Sequence, residues 1–137
     1  IPTGLTLIVI ISIFGPISGA HFNPAVSLIF WLKKIISLLD LVAYVLFQII
    51  GAIFGCLAAN IIFELPIITI STNVRHDLSQ FLSEILATFG LVLVIFLARE
   101  VARLNIPVIV GSYIASAYWF TSSTSFANPA VTIARQF

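Results

Sequence analysis

No residue from Leu41 to Phe63 is charged, and only Tyr44, Gln48 and Asn60 interrupt the apolar run. A stretch of this length can span a bilayer as a helix. Phe81 to Ala98 is a second such stretch, with Glu84 as its only charge. Leu5 to Phe14 is the visible part of another, expected to start before Ile1. Ile106 to Phe120 is a fourth, bounded by Asn105-Ile106-Pro107 and the polar run Thr121 to Ser125. The chain is 61% hydrophobic and 8% charged, whereas soluble domains carry about a quarter charged residues. That leaves too little charge to cover a water-facing surface, and the expected class is an all-α membrane protein. A net charge of +1 argues against nucleic acid as a partner. The single cysteine, Cys56, forms no internal disulfide or cysteine-based metal site and is expected to be a small buried hydrophobe.

Two further apolar pieces are too short to span. Pro24 to Leu32 stops at Lys33-Lys34, and Pro129 onward meets Arg135. Each opens with Asn-Pro-Ala, at Asn23-Pro24-Ala25 and Asn128-Pro129-Ala130. Asn is a strong N-cap and Pro is favoured at the first helical position. Both pieces therefore predict short helices with abrupt starts. Two copies of one tripeptide arise by chance with a probability of order ~10⁻⁴ in a chain this long.

The copies sit in a longer repeat. In each, an apolar helix leads into a polar loop, Ile17 to Phe22 or Ser122 to Ala127, and then into the motif. Three spans separate the two asparagines, so the second half-helix is expected to enter from the opposite side. This is an inverted repeat whose helix N-termini meet near the bilayer midplane. Lys33, Lys34, Arg99 and Arg103 fall on one side, while the connection from Glu64 to Gln80 on the other carries Arg75 as its only Lys or Arg, which places the first group in the cytoplasm. The connection from Glu64 to Gln80 then faces outward. The chain begins inside an apolar run with no Met and no signal-peptide pattern, and it is expected to end at Phe137 inside a helix. It is taken as a fragment of one domain covering residues 1–137.

Ser18-Gly19-Ala20-His21-Phe22-Asn23-Pro24-Ala25-Val26 resembles the first signature of the aquaporins, or major intrinsic proteins. Tyr44, Gln48 and Gly51 sit as in the family's third helix, and Glu84 resembles its buried fourth-helix glutamate. The resemblance covers essentially the whole chain. It implies an aquaporin-like inverted repeat with two re-entrant half-helices, six spanning helices per subunit and a homotetramer. By that count the fold is incomplete at both ends: the first and sixth helices, the start of the second and most of the last half-helix are absent.

The paired motifs carry a physical mechanism of their own. Each half-helix starts with unpaired N–H groups and about half a positive charge. Two such ends meeting in a low dielectric repel cations, hydronium included. An Asn that caps its helix through its oxygen leaves its NH₂ as a donor toward the pore. A water held by both Asn23 and Asn128 then cannot accept from its neighbours, and a proton wire is broken. The prolines fix the helix starts, and Ala25 and Ala130 are small enough for the ends to pack.

The second motif departs from the family pattern. Most members place Arg directly after it, where this chain has Val131. Arg135 follows one turn later on the same face, as an outer-pore residue. Counted by the same resemblance, Thr3, Ser116 and Ser125 complete the selectivity filter, with Tyr118 in place of Ser116 if the fifth helix is offset. Such a constriction is wider and less cationic than a water-only filter. The run from Thr124 to Arg135 also resembles a bacterial subgroup tied to arsenic-resistance operons, implying passage of neutral metalloid hydroxides.

His21 is expected to brace the re-entrant loop rather than sense protons, and Glu84 to accept hydrogen bonds from loop backbone rather than relay protons. His76 is expected in the outer connection, in solvent. Trp31 and Trp119 suit either interfaces or pore walls. No catalytic triad, metal-ligand cluster or cofactor site is legible, so no enzyme is expected. The expected function is a passive channel for water and small neutral solutes such as glycerol or arsenite in a bacterial inner membrane, with lipid as the surrounding partner. A strict water channel, a nonconducting relic and a secondary transporter are the competing readings.

Overall fold

A computed structural model describes the chain except for residues 73–76 and 102–104. The sequence-assigned Arg75, His76 and Arg103 lie outside the described residues. Among those described, the chain is helical without strands: α1 (Pro2–Ser18), α2 (Pro24–Leu32), α3 (Leu38–Ile62), α4 (Leu78–Glu100), α5 (Ile106–Phe120) and α6 (Pro129–Ala134). They form two compact units, one from Ile1–His21 with Arg75–Ala127 and the other from Phe22–Val74 with Asn128–Phe137.

Helix bounds follow local chemistry that hydropathy alone does not carry. α3 starts three residues before its uncharged run because Ser37 and Asp40 make a reciprocal capping box, with Asp40 N donating to Ser37 Oγ at 3.1 Å and Ser37 N to Asp40 Oδ2 at 3.1 Å. α1 continues past Phe14 through Pro16 and stops at Gly19, whose φ of +79° turns the chain left-handed while its N–H donates to Gly15 O at 2.9 Å. α6 ends at Ala134, Arg135 is its C-cap, and Gln136 and Phe137 close with tighter bonds to Ile133 O and Ala134 O. Among the described residues, only α3 and α4 have the length and apolarity of a full span; α1 and α5 are apolar but have 17 and 15 residues.

In the first unit α5 packs against both α1 and α4. The contacts rest on small residues. A Cβ on Gly4 would strike Gly111 O and Ala115, one on Gly111 would strike Ile8 and Gly4 O, and one on Gly90 would strike the Tyr113 ring. Tyr113 Oη reaches past Gly90 to donate to Ala87 O at 3.0 Å. Ala87 and Ala117 are fully buried in the same unit. This is how helices associate where lipid removes the hydrophobic drive: close backbone approach and dispersion replace it. In the second unit α3 packs against α2 and α6, which also touch each other. Gln48 Nε2 of α3 donates to the fully buried Ser27 Oγ of α2 at 3.0 Å.

Large apolar side chains turn outward, Phe47, Phe54 and Trp119 among them. Such a surface suits hydrocarbon and not water. Cys56 is half-buried rather than buried.

Gly111→Leu forces a branched side chain into the α1 backbone. It is expected to destabilise the protein by about 1–3 kcal/mol, the usual cost of overpacking, with Gly111→Ala intermediate. Thermal unfolding of the detergent-solubilised protein measures both.

Candidate functional site: two half-helix starts and their braces

Both half-helices start in the same way. Asn23 takes an extended backbone (φ −156°, ψ 121°) and its Oδ1 accepts from Ala25 N at 2.9 Å. Asn128 repeats it (φ −154°, ψ 110°), its Oδ1 accepting from Ala130 N at 3.0 Å and Val131 N at 3.5 Å. Pro24 and Pro129 take the first helical positions, where a missing N–H costs nothing. Asn23 O and Asn128 O accept the first main-chain helical bonds, from Ser27 N and Thr132 N, each at 3.0 Å.

The two starts meet within the second unit. Asn128 Nδ2 donates to Phe22 O, the carbonyl just before Asn23, at 2.9 Å. This corrects the expectation that the Asn128 amide is wholly free to face a pore. One of its two hydrogens holds the opposite helix start, and the other remains for a further acceptor. Asn23, Pro24 and Ala130 are buried, and Ala25 and Asn128 are half-buried.

The loops before the motifs share an unusual backbone. Gly19, Ala20 and Phe22 have φ of 79°, 48° and 46°; Thr124, Ser125 and Ala127 have 61°, 47° and 44°. Counted back from each Asn, these are the same three positions. Left-handed conformation costs a non-glycine residue about 1–2 kcal/mol, so strain of about 3–6 kcal/mol accumulates in the second loop. Its counterweight is on α4. The Glu84 carboxylate accepts from Phe126 N at 2.9 Å through Oε1 and from Ala127 N at 2.7 Å through Oε2. Hydrogen bonds to a charged group contribute about 1.5–3 kcal/mol each, so the two together match the strain. Ser83, which no sequence argument singled out, adds to the brace: its Oγ accepts from Ser122 N at 3.2 Å and pairs with Ser122 Oγ at 2.9 Å. A hydroxyl beside a carboxylate in an otherwise apolar span is the signal that marks it.

The remaining sequence-assigned residues are placed as follows. His21 is buried at the end of the first loop, its ring beneath Gly19, where a Cβ would come within 3.4 Å of Nε2. Ser125 is buried, and its Oγ has no hydrogen-bond partner among the described residues. Thr3 on α1 and Ser116 on α5 are exposed, Ser116 Oγ bonding back to Ser112 O at 2.8 Å, while Tyr118 is half-buried. Val131 is half-buried within α6, and Arg135 is exposed at its end. Among the described residues, no three His, Cys, Asp or Glu are grouped to hold a metal ion.

A family model described as "Major intrinsic protein" matches residues 1–137. Among curated proteins, the chain is 51% identical to "Aquaglyceroporin AqpS" of Rhizobium meliloti (strain 1021) over 137 residues, 100% of this chain and 59% of that protein. It is 35% identical to "Aquaporin NIP1-1" of Arabidopsis thaliana over 67% of this chain and 34% of the relative. It is 31% identical to "Aquaporin-4" of Notomys alexis over 93% of this chain and 42% of the relative. The chain thus spans between about a third and three fifths of the length of these relatives.

Glu84→Gln keeps one acceptor but turns an NH₂ against one of two backbone N–H donors. The expected result is a loss of about 1–3 kcal/mol and faster amide exchange at Phe126 and Ala127. Hydrogen–deuterium exchange resolved to these two amides checks it.

Proposed function

Because the chain belongs to the major intrinsic protein family, we propose that it builds the central part of a passive transmembrane channel for water and small neutral solutes, glycerol and metalloid hydroxides such as arsenous acid among them. The observation that carries this reading is the meeting of the two Asn-capped helix starts through Asn128 Nδ2 and Phe22 O. Two helix N-termini contribute about half a positive charge each. A monovalent cation about 5 Å from both, at an effective dielectric near 20, is opposed by roughly 3 kcal/mol. Neutral solutes meet no such barrier. The left-handed loop residues support the same reading, since strained backbone persists where neighbouring groups over-determine it and clusters at functional sites.

A secondary transporter needs a carboxylate free to bind a coupling ion. Both Glu84 oxygens are already engaged by backbone N–H groups, which favours the channel over that alternative. The role is conduction rather than catalysis. The proposed setting is a bacterial cell membrane crossed several times, with the full-length protein a homotetramer as in the family pattern. That pattern, counted along this sequence, assigns the constriction to Thr3, Ser116 or Tyr118, Ser125 and Val131, with Arg135 beyond it.

The relative named an aquaglyceroporin supports a filter that admits more than water. Val131 supplies the chemical reason. It puts a small apolar side chain where an arginine would bring a guanidinium with five donors. Val131→Arg in the full-length protein should keep water permeation but cut glycerol or arsenous acid flux at least about tenfold, a barrier rise of about 1.4 kcal/mol. Arg135→Ala should change size selectivity much less. Stopped-flow swelling of proteoliposomes measures these fluxes. A wild-type protein that passes water and excludes both solutes is a strict water channel, and one that passes none of the three ends the channel reading.

A second expectation tests the electrostatic part. Asn128→Asp places a carboxylate at the positive helix ends and should raise cation conductance in planar bilayers. Unchanged conductance would count against the dipole account.

A further inference from the structure

One face of α4 holds the chain from α5 into the second loop at three places. Ser83, Glu84, Ala87 and Gly90 recur at helical spacing and so share a side of that helix. Two of the ties grip the loop: Ser83 holds Ser122, and Glu84 holds Phe126 and Ala127. The third grips α5 itself. The Tyr113 ring lies over Gly90, where any Cβ would strike it, and its Oη donates to Ala87 O at 3.0 Å. On its own helix the ring meets Phe120 edge to face, with centroids 6.1 Å apart. All of these residues belong to the first unit.

Along the chain the ties alternate with constriction positions: Tyr113, then Ser116, then Ser122, then Ser125, then Phe126. Ser116 and Ser125 therefore each lie between two attachments to the same helix. Ser116 stands about 4.5 Å beyond Tyr113 along the α5 axis. Packing of small residues brings helices close without fixing how far one has slid along the other, whereas a hydrogen bond aimed at one carbonyl does fix it. Ala87 O sits inside α4 and already accepts from the N–H four residues on. The Tyr113 hydroxyl thus supplies register and does not rescue an orphan acceptor. From this we propose that Tyr113 is a positioning residue for solute discrimination: by fixing the height of α5 on α4 it sets the separation of Ser116 from Ser125, and with it the size cut-off for solutes. The inference rests on the channel reading above and adds to it the residue that spaces the constriction.

The test uses the full-length protein in proteoliposomes, with water, urea, glycerol and ribitol as a size ladder. Tyr113→Phe keeps the ring on Gly90 and against Phe120 and removes only the donor. With no acceptor orphaned, thermal unfolding in detergent should stay within about 4 °C of wild type. The ribitol-to-glycerol flux ratio should rise at least about threefold, with water flux per reconstituted protein within about twofold of wild type. Gly90→Ala drives a methyl group against the Tyr113 ring and should shift the ratio in the same direction. A double-mutant cycle separates positioning from general loosening: in a Ser116→Ala background, Tyr113→Phe should change the ratio by less than it does alone. An unchanged ratio in Tyr113→Phe, a common proportional fall in all fluxes, full additivity with Ser116→Ala, or loss of reconstitutable protein in both Tyr113→Phe and Gly90→Ala would overturn the inference while the channel reading stands. A wild-type protein that conducts none of the four overturns both.

Discussion

A helix that begins inside an apolar layer leaves N–H groups that neither water nor lipid can satisfy, and the rest of this structure is arranged around that constraint. Asn23 and Asn128 answer it locally by turning their oxygens onto their own helix starts. Asn128 then uses its nitrogen to hold the carbonyl of Phe22. One side chain therefore caps its own helix and fixes the other one. The two helices have six and nine residues, each below the length at which a helix is stable alone, so this bond and their packing on α3 hold them.

The loops that deliver the chain to these starts are strained in the same three places, and the two copies use different means. In the first loop Gly19 takes one of the left-handed positions without a steric cost. In the second, Thr124 stands at the corresponding position, and the strain is met by α4 through Glu84 and Ser83. Glu84 is thus committed to backbone amides. Its place in an apolar span follows from the loop it holds and does not require a role in moving ions.

The fold class and the half-helices were legible because each rests on local chemistry. Asn-Pro-Ala dictates a cap and a fixed first turn, and the bounds Pro24–Leu32 and Ile106–Phe120 follow from Pro, Asn and charge placement. The less legible bounds have equally local causes that hydropathy does not register: the Ser37–Asp40 capping box lengthens α3, and Gly19 rather than Phe14 stops α1. The partners of Ser83, Gln48 and Asn60 were not legible. Gln48 and Asn60 interrupt an apolar run and Ser83 stands beside Glu84 in another, and their spacing says only that each must find a partner. Which partner depends on residues 39, 21 and 77 positions away.

By itself the sequence determined that this chain is an all-helical membrane protein of the major intrinsic protein family, with two Asn-capped helix starts and a Val131 directly after the second Asn-Pro-Ala. These are properties of composition, of residues a few positions apart and of a repeated motif. Tertiary structure decided how the Asn128 amide divides its two hydrogens and which carboxylate holds the second loop. A side-chain amide bonds to whatever acceptor folding brings within about 3 Å, and in an apolar layer it must find one, so these choices exist only once distant segments have packed.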